Sequence, residues 1–221
     1  MNPKICEFPS KQFYKDRLNT ESSKKWHTEK QLSLWKRSDI PLLFCHVQGE
    51  EKCLAVATEE GNQQSRSNMA EVEHVVKVYT FLVKQEKLAT PTVRVLTQYN
   101  AQRHAINEAL QKKGFDNAEV NTVVSSQGGE WDYVIFSTVR SLPDYRIEEH
   151  PTLGWCMQNL GFITDQHQIN VALTRARKGL IIIGNQQLLK CDVVWKELLK
   201  HYHRQGCIVD SEGLDERLGD S

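Results

Sequence analysis

From about residue 93 onward, short apolar runs alternate with segments whose apolar residues recur every three to four positions, the pattern of βαβ units on a largely parallel sheet. The predicted strands are Val93–Thr97, Val120–Val124, Tyr133–Val139 and Leu180–Gly184, and the predicted helices are Tyr99–Lys113, Gln168–Lys178 and Asp192–Arg204. The strands are short and rich in apolar residues, as expected where helices cover both faces of a sheet. The fold class is therefore α/β, a largely parallel sheet with helices on both faces.

The first third of the chain is less regular. Asn68 can cap a helix and Glu71 can complete a capping box, while Val72, Val75, Val76, Tyr79, Leu82 and Val83 make one apolar stripe. Pro41–Val47 and Cys53–Thr58 are expected to pair as two strands joined by a turn at Gln48–Glu51. Asn19–Ser38 is a polar insertion holding Trp26, Trp35, Lys24, Lys25, Lys30, Lys36 and Arg37. Such a run can stack on and neutralise a single nucleic-acid strand, or it is a solvated helix whose aromatics face the core. Glu59–Asn68 and Leu142–Gly161 are expected to be loops, from their Gly, Pro, Ser and charged residues. The chain thus divides into three stretches: 1–67, an N-terminal part with the strand pair and the polar helical insertion; 68–207, the core; and 208–221, an acidic tail expected to be disordered.

Composition narrows the function classes. A chain of 221 residues with 39% hydrophobic content can bury one core. Lys plus Arg and Asp plus Glu both number 28, so any nucleic-acid site must come from local arrangement. No run approaches the roughly 18 apolar residues of a membrane span, and the N-terminus lacks a secretory pattern, so an intracellular location is expected. Cys6, Cys45, Cys53, Cys156, Cys191 and Cys207 are scattered without metal-ligand spacing, and no metal site is expected.

Three clusters carry candidate chemistry. In Gln168–Gly179, Ile169, Ala172, Leu173 and Ala176 share one helical face, and on the same helix Arg175 lies on the flank of Gln168 while Arg177 points roughly 160° away. A guanidinium held there can meet developing phosphate charge, or it can simply stabilise a helix C-terminus. In Val120–Asp132, a strand ends in hydroxyls and a Gln before Gly128-Gly129, a turn whose amides can cradle an anion or merely connect two strands. In Val93–Gln102, a buried strand delivers Thr97, Gln98, Tyr99 and Asn100 to the carboxyl edge, where ligands of open sheets collect, although Thr97 or Asn100 is equally an ordinary helix cap.

Taken in chain order, the clusters Val93–Gln102, Val120–Asp132 and Gln168–Gly179 resemble the motifs of the second RecA-like domain of superfamily 1 helicases of the up-frameshift type. Met1–Ser10 with Phe13-Tyr14 is similar to the segment just after that domain's opening Gln-Tyr-Arg motif, Gly161–Asp165 to the lead-in of the arginine motif, and Val194–Leu199 to the closing helix. The resemblance implies a RecA-like (P-loop NTPase-type) fold and the second motor domain of an ATP-dependent RNA or DNA helicase. It implies Arg175 as the catalytic arginine finger, Gln127, Gly128, Gly129 and Glu130 on the nucleotide side, and Thr97, Tyr99, Thr122 and Ser125 near the nucleic-acid backbone. ATP with Mg would be the cofactor, and single-stranded RNA or DNA and the first RecA-like domain of the same protein the partners. One branch of the group further implies a nuclear or cytoplasmic location, a transcriptional coactivator role, and nuclear receptors or coactivators as partners.

The chain departs from the family pattern at Val124-Ser125-Ser126, at His167-Gln168 and in the length of Leu142–Gly161. It also holds no Gly-x-x-x-x-Gly-Lys-Ser/Thr loop and no acidic pair after an apolar strand, so alone it is expected to be half of an ATPase and inactive. The alternative is a degenerate RecA-like module kept for protein–protein interaction.

Overall fold

The computed structural model describes residues 1–20, 31–58 and 61–219. Helix α1 (Pro3–Tyr14) starts with its amide ends capped by Asn2, whose side chain accepts from the Lys4 N–H at 2.8 Å. Six parallel strands make the main sheet in the order β5-β4-β6-β7-β1-β8: β1 (Leu42–His46), β4 (Val93–Thr97), β5 (Val120–Thr122), β6 (Trp131–Ser137), β7 (Ala176–Gly184) and β8 (Ile208–Asp210). A separate antiparallel hairpin joins β2 (Glu51–Thr58) to β3 (Gly61–Asn68). The remaining helices are α2 (Met69–Thr80), α3 (Asn100–Lys112), α4 (Leu153–Leu160), α5 (Gln166–Leu173), α6 (Gln186–Leu189), α7 (Val193–Gln205) and α8 (Ser211–Leu218).

Period-two alternation along the strands divides the core into two layers. Leu180 and Ile182 of β7, with Leu42 and Phe44 of β1, pack beneath α1, α5 and α7, where Trp195 stacks on Phe136 at 6.2 Å between ring centroids. Ile181 and Ile183, with Leu43 and Cys45, face the opposite layer of α2, α3 and α8. Both faces are thus sealed, and side-chain chemistry collects at the strand ends.

Several expectations change. Leu42–His46 does not pair with Glu51–Thr58; β1 sits inside the main sheet between β7 and β8, and β2 pairs instead with the polar segment Gly61–Asn68, expected to be a loop. The predicted helix Gln168–Lys178 ends at Leu173, because β6 captures the chain from Ala176 onward (Trp131 pairs with Ala176). The 142–161 segment is not a bare loop but holds α4 and a 3-10 turn at Asp144–Arg146. The acidic tail folds as α8, with Leu214 and Leu218 buried one turn apart. In the polar insertion, Trp26, Lys24, Lys25 and Lys30 lie outside the described residues; Trp35 is buried in the α2-side core, and residues 31–40 are not helical.

Helix α2 docks through polar groups. The Asn68 side chain accepts from the Glu71 N–H at 3.3 Å, as a cap should, but the reciprocal bond of a capping box is absent. Glu71 turns inward and its Oε2 accepts from the Ser137 hydroxyl at 2.6 Å and the Val139 N–H at 2.8 Å. Burial pushes the Glu71 carboxyl up to about 8, outweighing those bonds, and the Glu51 carboxylate adds in the same direction.

This packing can be tested in two ways. Leu214→Ala should destabilise the chain by about 2 to 4 kcal/mol in urea denaturation, since the fully buried side chain leaves a cavity; an unchanged midpoint would mean that α8 does not pack. The folded chain retains a Glu71 proton that the unfolded chain releases around its ordinary value of 4.5, so this contribution to stability is full below that pH and is lost as pH rises through about 8. Glu71→Gln should flatten that part of the stability–pH curve; an identical slope in the variant would refute it.

Candidate functional site

Arg175 occupies the turn between α5 and β7, at the amino edge of the strands. Its Nε donates to the Val171 carbonyl at 3.0 Å, one Nη to the Gly129 carbonyl at 2.9 Å and the other to the Thr174 hydroxyl at 3.0 Å. The bond to Val171 caps the end of α5, so the helix-stabilising role is real, and the bond to Gly129 ties the arginine to the predicted nucleotide loop. A guanidinium has five N–H donors, so this arrangement fixes the group while about two remain for a ligand.

The loop that meets Arg175 is short and closed by main-chain hydrogen bonds. A 3-10 turn at Val124–Ser126 leads through Gln127 to Gly128, whose φ of +81° favours glycine, and Gly129 donates its N–H to the Ser126 carbonyl at 3.0 Å. A Cβ at Gly129 would strike the Trp131 ring, which the Arg94 guanidinium covers at 4.5 Å from the centroid. Trp131 closes the arrangement by donating its N–H to the Arg175 carbonyl at 3.0 Å. Gln127, Gly128 and Glu130 are accessible beside it. This edge therefore offers a half-buried cation, exposed main chain at a Gly-Gly turn and a carboxylate, which fit one side of a nucleotide phosphate and ribose. Among the described residues no cluster of His, Cys, Asp or Glu could hold a metal ion.

Arg177 is on β7 rather than on a helix. It is exposed and reaches Asp132 at 2.6 Å, and Lys178 approaches the same carboxylate at 3.1 Å. The two arginines have different partners, and the reason is the turn into β7, not opposite flanks of one helix.

The other predicted group starts from the carboxyl ends of β4 and β5, at the far end of the strands from Arg175, with Ser125 in the 3-10 turn that leads back toward the Gly128-Gly129 loop. Thr122 and Ser125 come together there, hydroxyl to hydroxyl at 3.0 Å and accessible to solvent. Thr97 is 0% exposed with an unpartnered hydroxyl, because it shares the face of Val93 and Val95, which the layer of α2 and α3 covers. Tyr99 is 6% exposed; its hydroxyl hydrogen-bonds to Arg140, and burial raises its pKa. Neither side chain is displayed to a strand. Phe162 is, at 63% exposure, with its ring 6.4 Å from Tyr99 and its carbonyl accepting from the Gln98 amide at 3.2 Å. Its neighbours Gly161 and Asp165 signalled the segment in the sequence, but nothing local marked Phe162 as the exposed ring.

Arg140 joins this edge together. It is buried, its Nε donates to Glu51 of the hairpin at 2.9 Å, and Glu51 also pairs with Arg66 at 2.7 Å. Sequence reasoning missed all three, because the partners are 89 and 15 positions apart.

Residues 1–187 match the model of the family described as AAA domain. The chain is 39% identical over 209 residues to the "3'-5' exoribonuclease HELZ2" of Homo sapiens, covering 95% of this chain and 7% of that protein. Over 212 residues it is 40% identical to its Mus musculus counterpart, covering 96% and 7%. It is 33% identical to "Regulator of nonsense transcripts 1" of Dictyostelium discoideum, over 95% of this chain and 15% of that one. The solved C-terminal domain of a possible DNA helicase from Lactobacillus aligns with a TM-score of 0.45 at 11% identity, over 88% of this chain and 94% of its own, a likeness too slight to add to the case. The chain thus spans less than a tenth of the length of the first two relatives. By sequence match and motif order, it belongs to the AAA domain family and is a C-terminal RecA-like domain of the up-frameshift type of superfamily 1 helicase.

Proposed function

We propose that this chain is the second motor domain of an ATP-dependent helicase acting on single-stranded RNA or DNA. Arg175 supports this most directly: a guanidinium fixed by three internal hydrogen bonds beside a Gly-Gly turn is preorganised to meet phosphate charge. ATP with Mg would lie between this edge and the first RecA-like domain of the same protein. Bound there, it supplies the phosphoanhydride that is cleaved. Arg175 would meet the terminal phosphate, Gln127, Gly128 and Gly129 would line the nucleotide, and Glu130 would lie near the ribose. At the other edge, Thr122 and Ser125 offer hydroxyls to the strand backbone, and Phe162 offers a face to a base.

A second reading is a module that binds protein, including the nuclear receptors or coactivators that the family resemblance raises. It is favoured by Leu153 and Met157, one turn apart on α4 and 78% and 64% exposed. Nucleotide titration of a chain containing both RecA-like halves separates the two: saturable, strand-stimulated hydrolysis supports the motor, and its absence supports the binding module.

In that two-domain enzyme, Arg175→Ala should lower kcat by about 10³-fold with a much smaller change in nucleotide affinity, and Arg175→Lys should restore little. Arg177→Ala should cost far less turnover; equal losses for the two arginines would remove the finger assignment. With this chain alone, steady-state hydrolysis should not exceed a buffer blank. Affinity for single-stranded RNA should be low and fall with salt, and tight, salt-independent binding would count against phosphate contacts at Thr122 and Ser125.

A further inference from the structure

Strand β6 runs into a residue whose side chain disfavours its backbone conformation. Val139 is fully buried at φ +71°, a region in which a β-branched residue crowds its own main chain. The Arg140 N–H donates to the Thr138 carbonyl at 2.8 Å, so Val139 is the centre of a three-residue γ-turn. Such strain persists only where the surroundings over-determine it.

The surroundings here are the first turn of α2. The Val139 N–H donates to Glu71 Oε2 at 2.8 Å, and the Val139 carbonyl accepts from Asn68 Nδ2 at 3.1 Å, so both polar groups of the strained residue are held from one helix end. Glu71 is itself fixed by the Ser137 hydroxyl, which accepts from Gln102 Nε2 at 2.9 Å. Gln102 then grips the Asn68 main chain twice, accepting from its N–H at 2.8 Å and donating to its carbonyl at 3.2 Å. Asn68, Glu71, Gln102 and Ser137 are all fully buried, so no water competes for these bonds.

The next residue shows what the turn aims. Arg140 leaves the γ-turn toward Glu51 of the hairpin stem, the Gln158 carbonyl of α4 at 3.5 Å and the Tyr99 hydroxyl beneath Phe162. The Ser141 N–H also donates to Glu51, at 3.0 Å. Were Val139 to relax to negative φ, the chain direction at Arg140 would change and this strut between hairpin, α4 and Tyr99 would be lost.

We infer that Glu71 and Asn68 are positioning residues that clamp Val139 in its strained turn and thereby set the geometry of the carboxyl edge at Tyr99 and Phe162. What that edge binds rests on the strand assignment proposed above; the clamp itself does not.

The test combines hydrogen exchange at the amides of residues 139–141 with binding of a fluorescent single-stranded oligouridylate to the full chain. Glu71→Ala should raise exchange there and weaken binding by about five-fold, the loss expected when roughly 1 kcal/mol of contact is forfeited. Glu71→Gln retains an acceptor oxygen and should leave both nearly unchanged, which a generally damaged core would not allow. Val139→Gly and Val139→Ala truncate the same packing, but only glycine accepts the positive φ without cost. Glu71→Ala should therefore raise exchange and destabilise the chain much less in the Val139→Gly background than in Val139→Ala. Equal effects in the two backgrounds, or a Gln variant as impaired as Ala, would overturn the clamp. If the exchange pattern holds while Thr122→Ala and Ser125→Ala leave oligonucleotide binding intact, the strand assignment falls and the clamp stands. If those two weaken binding and Glu71→Ala changes neither exchange nor affinity, the clamp falls alone.

Discussion

Closure of both sheet faces by helices is the constraint from which the rest of this structure derives. Once Leu180, Ile182, Phe44 and their neighbours meet one helical layer and Ile181, Ile183 and Cys45 the other, no polar side chain can act from a strand face without losing its hydration. Chemistry is forced to the two ends of the strands. The Arg175 turn and the Gly128-Gly129 loop lie at one end, Thr122 and Phe162 at the other, and Ser125 in the connection between them. The loop 123–130 leaves the carboxyl end of β5 and enters β6 at its amino end, so a single connection touches both groups.

Where local pattern and tertiary demand agree, the sequence was legible. Val93–Thr97 is a strand with the predicted bounds, Asn68 caps α2, and Ile169, Ala172 and Leu173 form the buried face of α5. The parallel sheet covered on both faces could be read from apolar strands spaced by helical segments. The nearness of Arg175 to Gly129 could not, although both motifs were visible, because 46 positions separate them and only the pairing of β6 with β7 brings them together.

The failures share a cause in long-range pairing. Ala176–Lys178 has good helix formers and continues the helical period of α5, yet backbone pairing with β6 outweighs a preference of a few tenths of a kcal/mol per residue. Pro41–Val47 reads locally as half of a hairpin, and only its position between β7 and β8 shows it to be an interior strand. Gly61–Asn68 has too few apolar residues to announce a strand; its partner β2 supplies the order through main-chain bonds. Glu71 had the right spacing for a capping box, and its diversion to Ser137 and Val139 depends on residues 66 and 68 positions away.

The two strands at the margins of the sheet, β5 and β8, are each three residues long, and the inner strands β4, β6, β7 and β1 run from five to nine. A margin this brief presents only a few unpaired amide and carbonyl groups, too few to template a strand from a second chain. The margins of the sheet thus offer little main chain to a strand from another molecule, which limits sideways growth by edge-to-edge pairing.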